Sequence, residues 1–391
     1  MKILICPDSF KGTLSSVKVC EIIAGVYQKA GFEVTSVPIA DGGDGTLDSL
    51  LFSLKGEKRE IVVFNPFGRK INAYYAIIDD MAVIEMAQAC GIIHLKEKEL
   101  NPWIATSYGF GQLINDALNA GIEKLILTIG GTSTNDAGIG MLPALGVNFF
   151  DKNGNKINKS ECLLSAADLE SIDRIDISEL KKKIGRKEII VFTDVKNPLL
   201  GKNGATFTYG FQKGADNELA EKLEKSIKHF SEIIKRDFHS DTDFEGAGAA
   251  GGAGAALHIF LSAKIKSGID GIIDLLKLES KIKDTDIVIV GEGKMDSQSL
   301  YGKAPVGIAK IAKKYNKKVI AIVGIFNKNI SHDIFEYIDL LFSCYNFDKQ
   351  INFEEIKNNS ETNLKEISKL SVDKLIDYDK NFNKIFILNE T

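Results

Sequence analysis

Seven short apolar runs, spread along the chain and rich in Ile, Val and Leu, constrain what this sequence can fold into. They are Ile3–Cys6, Val34–Val37, Leu125–Ile129, Ile189–Phe192, Ile287–Val290, Val319–Val323 and Leu340–Phe342. Each has the length of a strand, and all but Val34–Val37 are nearly unbroken by polar residues. Strands that are apolar at every position are buried on both faces, which is the condition of a parallel sheet covered by helices. Helical patterns lie between several of them. Ser15 or Ser16 can cap a helix that carries Val19, Ile22, Ile23, Val26 and Ala30 on one face and stops at Gly31. A second helix is predicted over Gly109 to Asn119, ending at Gly121, and a third over Ile308 to Tyr315. Strand, helix and strand in this order specify an α/β fold.

Other segments depart from an all-parallel sheet. Tyr74–Ile78 and Ala82–Met86 flank Asp79-Asp80 and read as a β-hairpin. The charged segment Glu161 to Lys187 has no long apolar run and is expected to be peripheral. The tail after Gln350 keeps Ile356, Leu364, Ile367, Leu370, Leu375 and Ile376 near helical spacing. It is read as a surface helix followed by a short strand. A chain of 391 residues is expected to form two to three domains and to bury a core without disulfides or metal.

Lys plus Arg is 49 against 53 for Asp plus Glu, a net charge of −4 that argues against a nucleic-acid binder. The five cysteines form no CxxC pair and read as free thiols, with Cys6 and Cys20 as small buried hydrophobes. The apolar run at the N-terminus breaks at Pro7, too soon for a signal peptide. The uncharged stretch Gly246 to Ala263 is mostly Gly and Ala in its first half and is rejected as a membrane span. A cytoplasmic protein is the expectation.

The glycines, 35 in all, concentrate in the loops that follow the strands. These are Pro7 to Gly12, Ala40 to Thr46, Gly130 to Asp136, Thr193 to Pro198, Gly291 to Asp296 and, more weakly, Gly324 to Asn327. Any one of them reads as ordinary turn chemistry. Five acid-bearing loops after strands form a site at the carboxyl edge of an open sheet, where ligands of α/β proteins bind. Bare backbone with carboxylates and a few lysines suits a polyanion with Mg2+: amides and Lys contact phosphate, and carboxylates hold the hydrated ion.

Gly246 to Gly251 spells GxGxxG, but the residues before it, Ser240 to Glu245, are acidic and not strand-like, which weakens a dinucleotide reading. The run opens a helix from Ala253 to Ala263, where it either cradles phosphate or permits close packing. There is no Walker A motif, no protein-kinase HRD or DFG set, no HExxH and no GxSxG elbow.

Taken in order, PDSFKGTLSS, ADGGDGT, GGTSTNDAG, TDVKNPLLGKNGAT, QKGA, GAGAAGG and GEGKMDSQSLYGKAP resemble the motif series of the type-1 glycerate kinase family. Glu85-Met86-Ala87 and Thr106 to Gly111 fit the same pattern, and the match spans about Lys2 to Gly324. Departures are small: Asp44 stands where the family usually has Glu, Phe211 for Pro, Lys294 for Arg and Ser299 for Thr. The resemblance implies ATP-dependent phosphorylation of D-glycerate with Mg2+. It implies a discontinuous Rossmann-like parallel-sheet domain, residues 1–62 plus 283–391, and an inserted mixed α/β domain, residues 63–282, with the active site in the cleft.

Roles follow from what phosphoryl transfer needs. The attacking hydroxyl needs a carboxylate, with Asp194 the first choice and Asp296 and Asp41 next. Cations for the glycerate carboxylate and the phosphates are Lys11, Lys213, Lys294 and Lys303. Asp8, Asp41, Asp44 and Glu292 compete for Mg2+. Asn135 and Asp136 are candidates to fix the substrate hydroxyls, and the backbone around Ser9, Gly42, Gly43, Gly131, Thr132 and Gly248 to receive substrate or phosphate. Two other readings stay open: an NAD(P)-dependent oxidoreductase using GAGAAG, and a non-catalytic ligand-binding protein. The sequence leaves monomer and homodimer equally open, as it does the 2- and 3-hydroxyls, with the resemblance leaning to the 2-product.

Overall fold

A computed structural model describes all residues except 41, 44, 93–94, 158–162, 297–298, 300–303, 328–331, 347–351, 377–383 and 388–391. In chain order the strands are β1 (Lys2–Pro7), β2 (Glu33–Ser36), β3 (Glu57–Phe64), β4 (Lys70–Ile78), β5 (Met81–Glu85), β6 (Lys124–Thr128), β7 (Asn148–Phe150) and β8 (Arg174–Asp176). They continue as β9 (Glu188–Phe192), β10 (Lys264–Lys266), β11 (Ile287–Gly291), β12 (Lys294–Met295), β13 (Lys318–Phe326), β14 (Leu340–Asn346) and β15 (Lys384–Ile387). The chain divides into two compact units. One comprises Met1–Asp41, Asp48–Lys55 and Ile269–Thr391, and the other Gly42–Leu47 and Gly56–Gly268.

The first unit holds a 7-stranded sheet in the order β15-β14-β13-β11-β1-β2, with β12 also paired to β13. Every pairing in it is parallel. β11 is buried at all its positions and β1 at all but the first, as their unbroken apolar runs require. β2 alternates exposed and half-buried because it is the edge. The chain runs outward from β1 to β2 and then returns to build β11, β13, β14 and β15 on the other side. The strand order therefore reverses between β1 and β11.

Ser15 caps the helix Ser16–Lys29, accepting the Lys18 N–H at 3.2 Å. Its buried face is Val19, Cys20, Ile23, Ala24 and Tyr27, rotated from the predicted one, and Ile22 and Val26 are only partly buried. The rotation follows from Tyr27, whose hydroxyl finds Ser371 at 2.7 Å on the helix Phe353–Ile376, so its ring buries without an orphaned polar tip. That tail helix buries Leu364, Ile367, Val372 and Leu375, and β15 follows it as expected.

The second unit holds a 6-stranded sheet, β10-β9-β6-β5-β4-β3. β5, β6, β9 and β10 are parallel, while β3, β4 and β5 form an antiparallel meander that contains the predicted hairpin, with Ala76 opposite Val83. Residues 163–187 correct the expectation of a peripheral segment. Leu164, Ala166, Leu169, Ile172, Ile175, Leu180 and Ile184 are all buried in this unit's core. They are isolated from one another in sequence, on short helical turns and on β8, which pairs with β7 in a two-stranded sheet. Single apolar residues on turns leave no run to detect.

Candidate active site

In the first unit the loops after β1 and β11 lie side by side, because Pro7 pairs with Gly291 at the strand ends. This is the point where the strand order reverses, the place that leaves a crevice beyond the strands of an open α/β sheet. The Asp8 N–H donates to the Gly291 carbonyl at 2.8 Å, and the Asp8 carboxylate accepts the Ser9 N–H at 2.6 Å. Lys11 is exposed and Glu292 is buried. Lys294 pairs with Asp296 at 3.3 Å, and the Asp296 N–H donates to Ser299 Oγ at 3.2 Å. Gly293 is bare because a Cβ there would stand 3.0 Å from the Lys11 nitrogen and the Phe10 Cα. The structure thus brings Asp8, Ser9, Lys11, Glu292, Lys294 and Asp296 to one sheet edge. Asp41, Asp44 and Lys303 lie outside the described residues.

In the second unit the loops after β6 and β9 gather in the same way. Gly42 packs on the Phe192 end of β9, where a Cβ would meet Phe192 Cβ at 3.3 Å, and Gly43 lies under Gly130. Asp194, two residues beyond that strand end, is exposed, and its Oδ1 accepts the Ser267 hydroxyl and the Gly268 N–H, both at 2.9 Å. The carboxylate is oriented by protein donors at an exposed position.

Gly131 is exposed, but the turn that follows it is buried from Thr132 to Asp136. Asp136 Oδ2 accepts the Ser107 N–H at 2.8 Å, the Ser107 hydroxyl at 2.6 Å and the Gly140 N–H at 3.2 Å, while Oδ1 accepts the Gly138 N–H at 3.0 Å. Burial raises its pKa against the pull of those bonds. Its oxygens organise the turn and the start of the helix Tyr108–Asn119. Asn135 Nδ2 donates to Thr206 Oγ1 at 3.0 Å. Lys213 is buried, and its ammonium donates to the Thr134 carbonyl at 2.7 Å.

The GAGAAGG segment is packed against backbone. No strand occurs in residues 239–248, so the dinucleotide fingerprint lacks its first element. A Cβ at Gly248 would lie 2.2 Å from the Pro198 carbonyl. Ala250, Gly251 and Gly252 all have positive φ, so the regular helix starts after Gly252, as the sequence suggested. The close-packing reading accounts for these glycines.

Three side chains that hold the site were given no role by the sequence. Glu85, at the end of β5, is buried and accepts the Gly45 N–H at 3.3 Å and the Leu47 N–H at 3.1 Å. Its signals were a carboxylate closing an apolar strand and its place in the Glu85-Met86-Ala87 motif. Ser107 stood only within the Thr106 to Gly111 motif and Ser267 carried no signal, since both act on residues far away in the chain. Asp8, Glu292 and Asp296 are oxygen donors of the hard kind that Mg2+ takes. Among the described residues no group of three His, Cys, Asp or Glu is placed to hold a metal by itself. No helix of the described residues is long and apolar enough to cross a membrane.

A model of the glycerate kinase family matches residues 3–375. The chain belongs to the glycerate kinase family. It is 42% identical over 348 residues to the glycerate 2-kinase of Escherichia coli K12, covering 88% of this chain and 90% of that one. It is 41% identical over 349 residues to the glycerate kinase of Bacillus subtilis 168, with the same coverage. A crystal structure from Salmonella typhimurium LT2, described as a candidate glycerate kinase 2, superimposes with a TM-score of 0.83 at 38% identity, covering 96% of this chain and 98% of that one. The α/β architecture predicted from the apolar runs is therefore that of this kinase family.

Proposed function

We propose that the chain transfers the γ-phosphoryl group of ATP to a hydroxyl of D-glycerate, the 2-position being favoured over the 3-position. The observation that carries this reading is the reversal between β1 and β11, which sets Asp8, Lys11, Glu292, Lys294 and Asp296 at one sheet edge. That mixture of lysines, carboxylates and bare backbone is what a nucleotide triphosphate with its cation needs. The preference for the 2-hydroxyl leans on the printed name of the E. coli relative.

In this reading the glycerate oxygen attacks the γ-phosphorus, the bond from that phosphorus to the β-phosphate oxygen breaks, and ADP leaves. The hydroxyl proton passes to a carboxylate. Asp194 is the first choice, since two donors orient it and it remains exposed. Asp296 is second, its carboxylate being paired with Lys294. Lys11 and Lys294 offset negative charge on phosphate or glycerate. The exposed backbone at Gly131 orders the substrate, and Asn135, buried in the same turn and tied to Thr206, shapes that backbone. Asp8, Asp41, Asp44 and Glu292 are the candidates to hold Mg2+, which when bound neutralises phosphate charge. A cytoplasmic location belongs to the same reading.

The test is ADP release by the purified protein with D-glycerate, ATP and Mg2+, followed by enolase. ADP release with product consumed by enolase supports a 2-kinase. ADP release with product that enolase leaves untouched moves the reading to the 3-hydroxyl. ADP release no greater than without glycerate overturns it.

A further inference from the structure

Lys213 closes the short helical turn Phe211–Lys213 and is only 3% exposed. Its Nζ donates to the Thr134 carbonyl at 2.7 Å and stands 3.5 Å from Thr132 Oγ1. A buried ammonium is costly unless its surroundings repay the lost water. Here the repayment is partial. Asp136 and Cys90 are the titratable groups that face it, and both Asp136 oxygens are already engaged by Ser107, Gly138 and Gly140. A chain selecting for stability alone would do as well with an apolar side chain of the same length.

What the ammonium does secure is a shape. From the opposite side Gly251 presses on the same turn: a Cβ there would stand 2.2 Å from the Thr134 carbonyl and 2.6 Å from Asn135 Cα. The Thr134 carbonyl is thus held between a charge and a bare glycine. Asn135 Nδ2 is tied to Thr206, while Asn135 Oδ1 and Thr134 Oγ1 are buried and accept no hydrogen bond from the described residues. Orphaned acceptors and a buried charge in one turn are both unfavourable to folding. The turn begins at Gly131, which is exposed.

We infer that Lys213 is a positioning residue, which holds the Gly131–Asn135 turn from beneath in the shape that receives substrate, and does not itself touch substrate. This rests on the functional reading above, in which Gly131, at the exposed start of the turn that Asn135 shapes, orders glycerate.

The test is a double-mutant cycle of Lys213→Met and Asn135→Ala, with kcat and KM measured separately for D-glycerate and ATP, and the thermal midpoint measured for each protein. The expected result is a loss of tenfold or more in kcat/KM for glycerate in K213M, with KM for ATP within threefold and the midpoint not lowered. In the N135A background the further loss on adding K213M is expected to be threefold or less, because the lysine acts through the turn that carries Asn135. Losses that multiply, K213M activity within threefold of wild type, or a loss that accompanies a lowered midpoint each overturn the inference. A wild-type protein that releases no ADP with D-glycerate overturns the functional reading instead, and this inference falls with it.

Discussion

The Asp194 carboxylate accepts the Ser267 hydroxyl at 2.9 Å, so the loop after β9 is tied to the loop after β10 through the side chain proposed as the catalytic base. The Gly268 N–H supports the same oxygen. Asp194→Asn keeps the shape and removes the basic oxygen. A general base contributes on the order of 10^2 to 10^4 in rate, so turnover is expected to fall by about that much with the thermal midpoint nearly unchanged. Ser267→Ala removes one donor and leaves the Gly268 N–H in place, and is expected to cost far less. Steady-state kinetics of both variants check this, and a D194N protein with near-full turnover removes Asp194 from the base role.

The pH dependence of Lys213 separates activity from stability by sign. Burial pushes its pKa down to about 8, against the opposing pull of Asp136 and Cys90. Below that pH the ammonium is present and the turn is held; above it the charge is lost. Activity with D-glycerate is expected to fall as pH rises through about 8, and the K213M protein is expected to lack this limb. Stability moves the other way. The folded pKa lies below the unfolded value of about 10.4, so between the two the unfolded chain binds more protons and this group's contribution to stability rises with pH. Profiles of kcat/KM and of unfolding over pH 7–10 test both signs. A limb that persists in K213M assigns it to another group.

Gly251→Ala tests the packing reading of the GAGAAGG segment. The residue has φ +68, and a Cβ would enter the Thr134 carbonyl at 2.2 Å. The left-handed conformation costs Ala roughly 1–2 kcal/mol and overpacking against backbone about 1–3 kcal/mol more, for a total of about 2–5 kcal/mol. Denaturant unfolding measures the loss. A G251A protein as stable as wild type would show that the segment has room, and would reopen a ligand-cradling role for it.

The strands were legible because burial on both faces writes itself as unbroken apolar runs, as at Ile287–Val290. The face of the first helix is less legible: Cys20 and Tyr27 belong to it, and only Ser371, 344 residues from Tyr27, shows why the tyrosine can go inside. The core positions between Leu164 and Ile184 were hidden for a different reason, standing singly on turns. Among site residues, the glycine and acid loops announced themselves by composition. What each acid does was not written there. Asp136 and Asp194 sit in similar motifs, yet one is buried under Ser107, Gly138 and Gly140 and the other is exposed beside Ser267. Lys11 and Lys213 differ in the same way, one exposed and the other beneath a turn 79 residues earlier in the chain. Partners that distant leave no local pattern.

Lys294→Ala distinguishes a functional cation from a structural one. Its ion pair with Asp296 spans 3.3 Å, and the lysine side chain is 51% exposed. An exposed pair of this kind contributes about 0–1 kcal/mol, so the midpoint of unfolding is expected to shift little. If the ammonium offsets charge on phosphate or glycerate, the same change is expected to lower kcat/KM by tenfold or more, since charge-assisted bonds to an anion contribute about 1.5–3 kcal/mol. Lys294→Arg keeps the charge and adds a planar fork that can grip two oxygens, so it is expected to recover most of the loss. Kinetics and unfolding of the two variants decide the matter. Equal activity in wild type and the K294A protein removes Lys294 from the anion-binding role and passes that role in the first unit to Lys11.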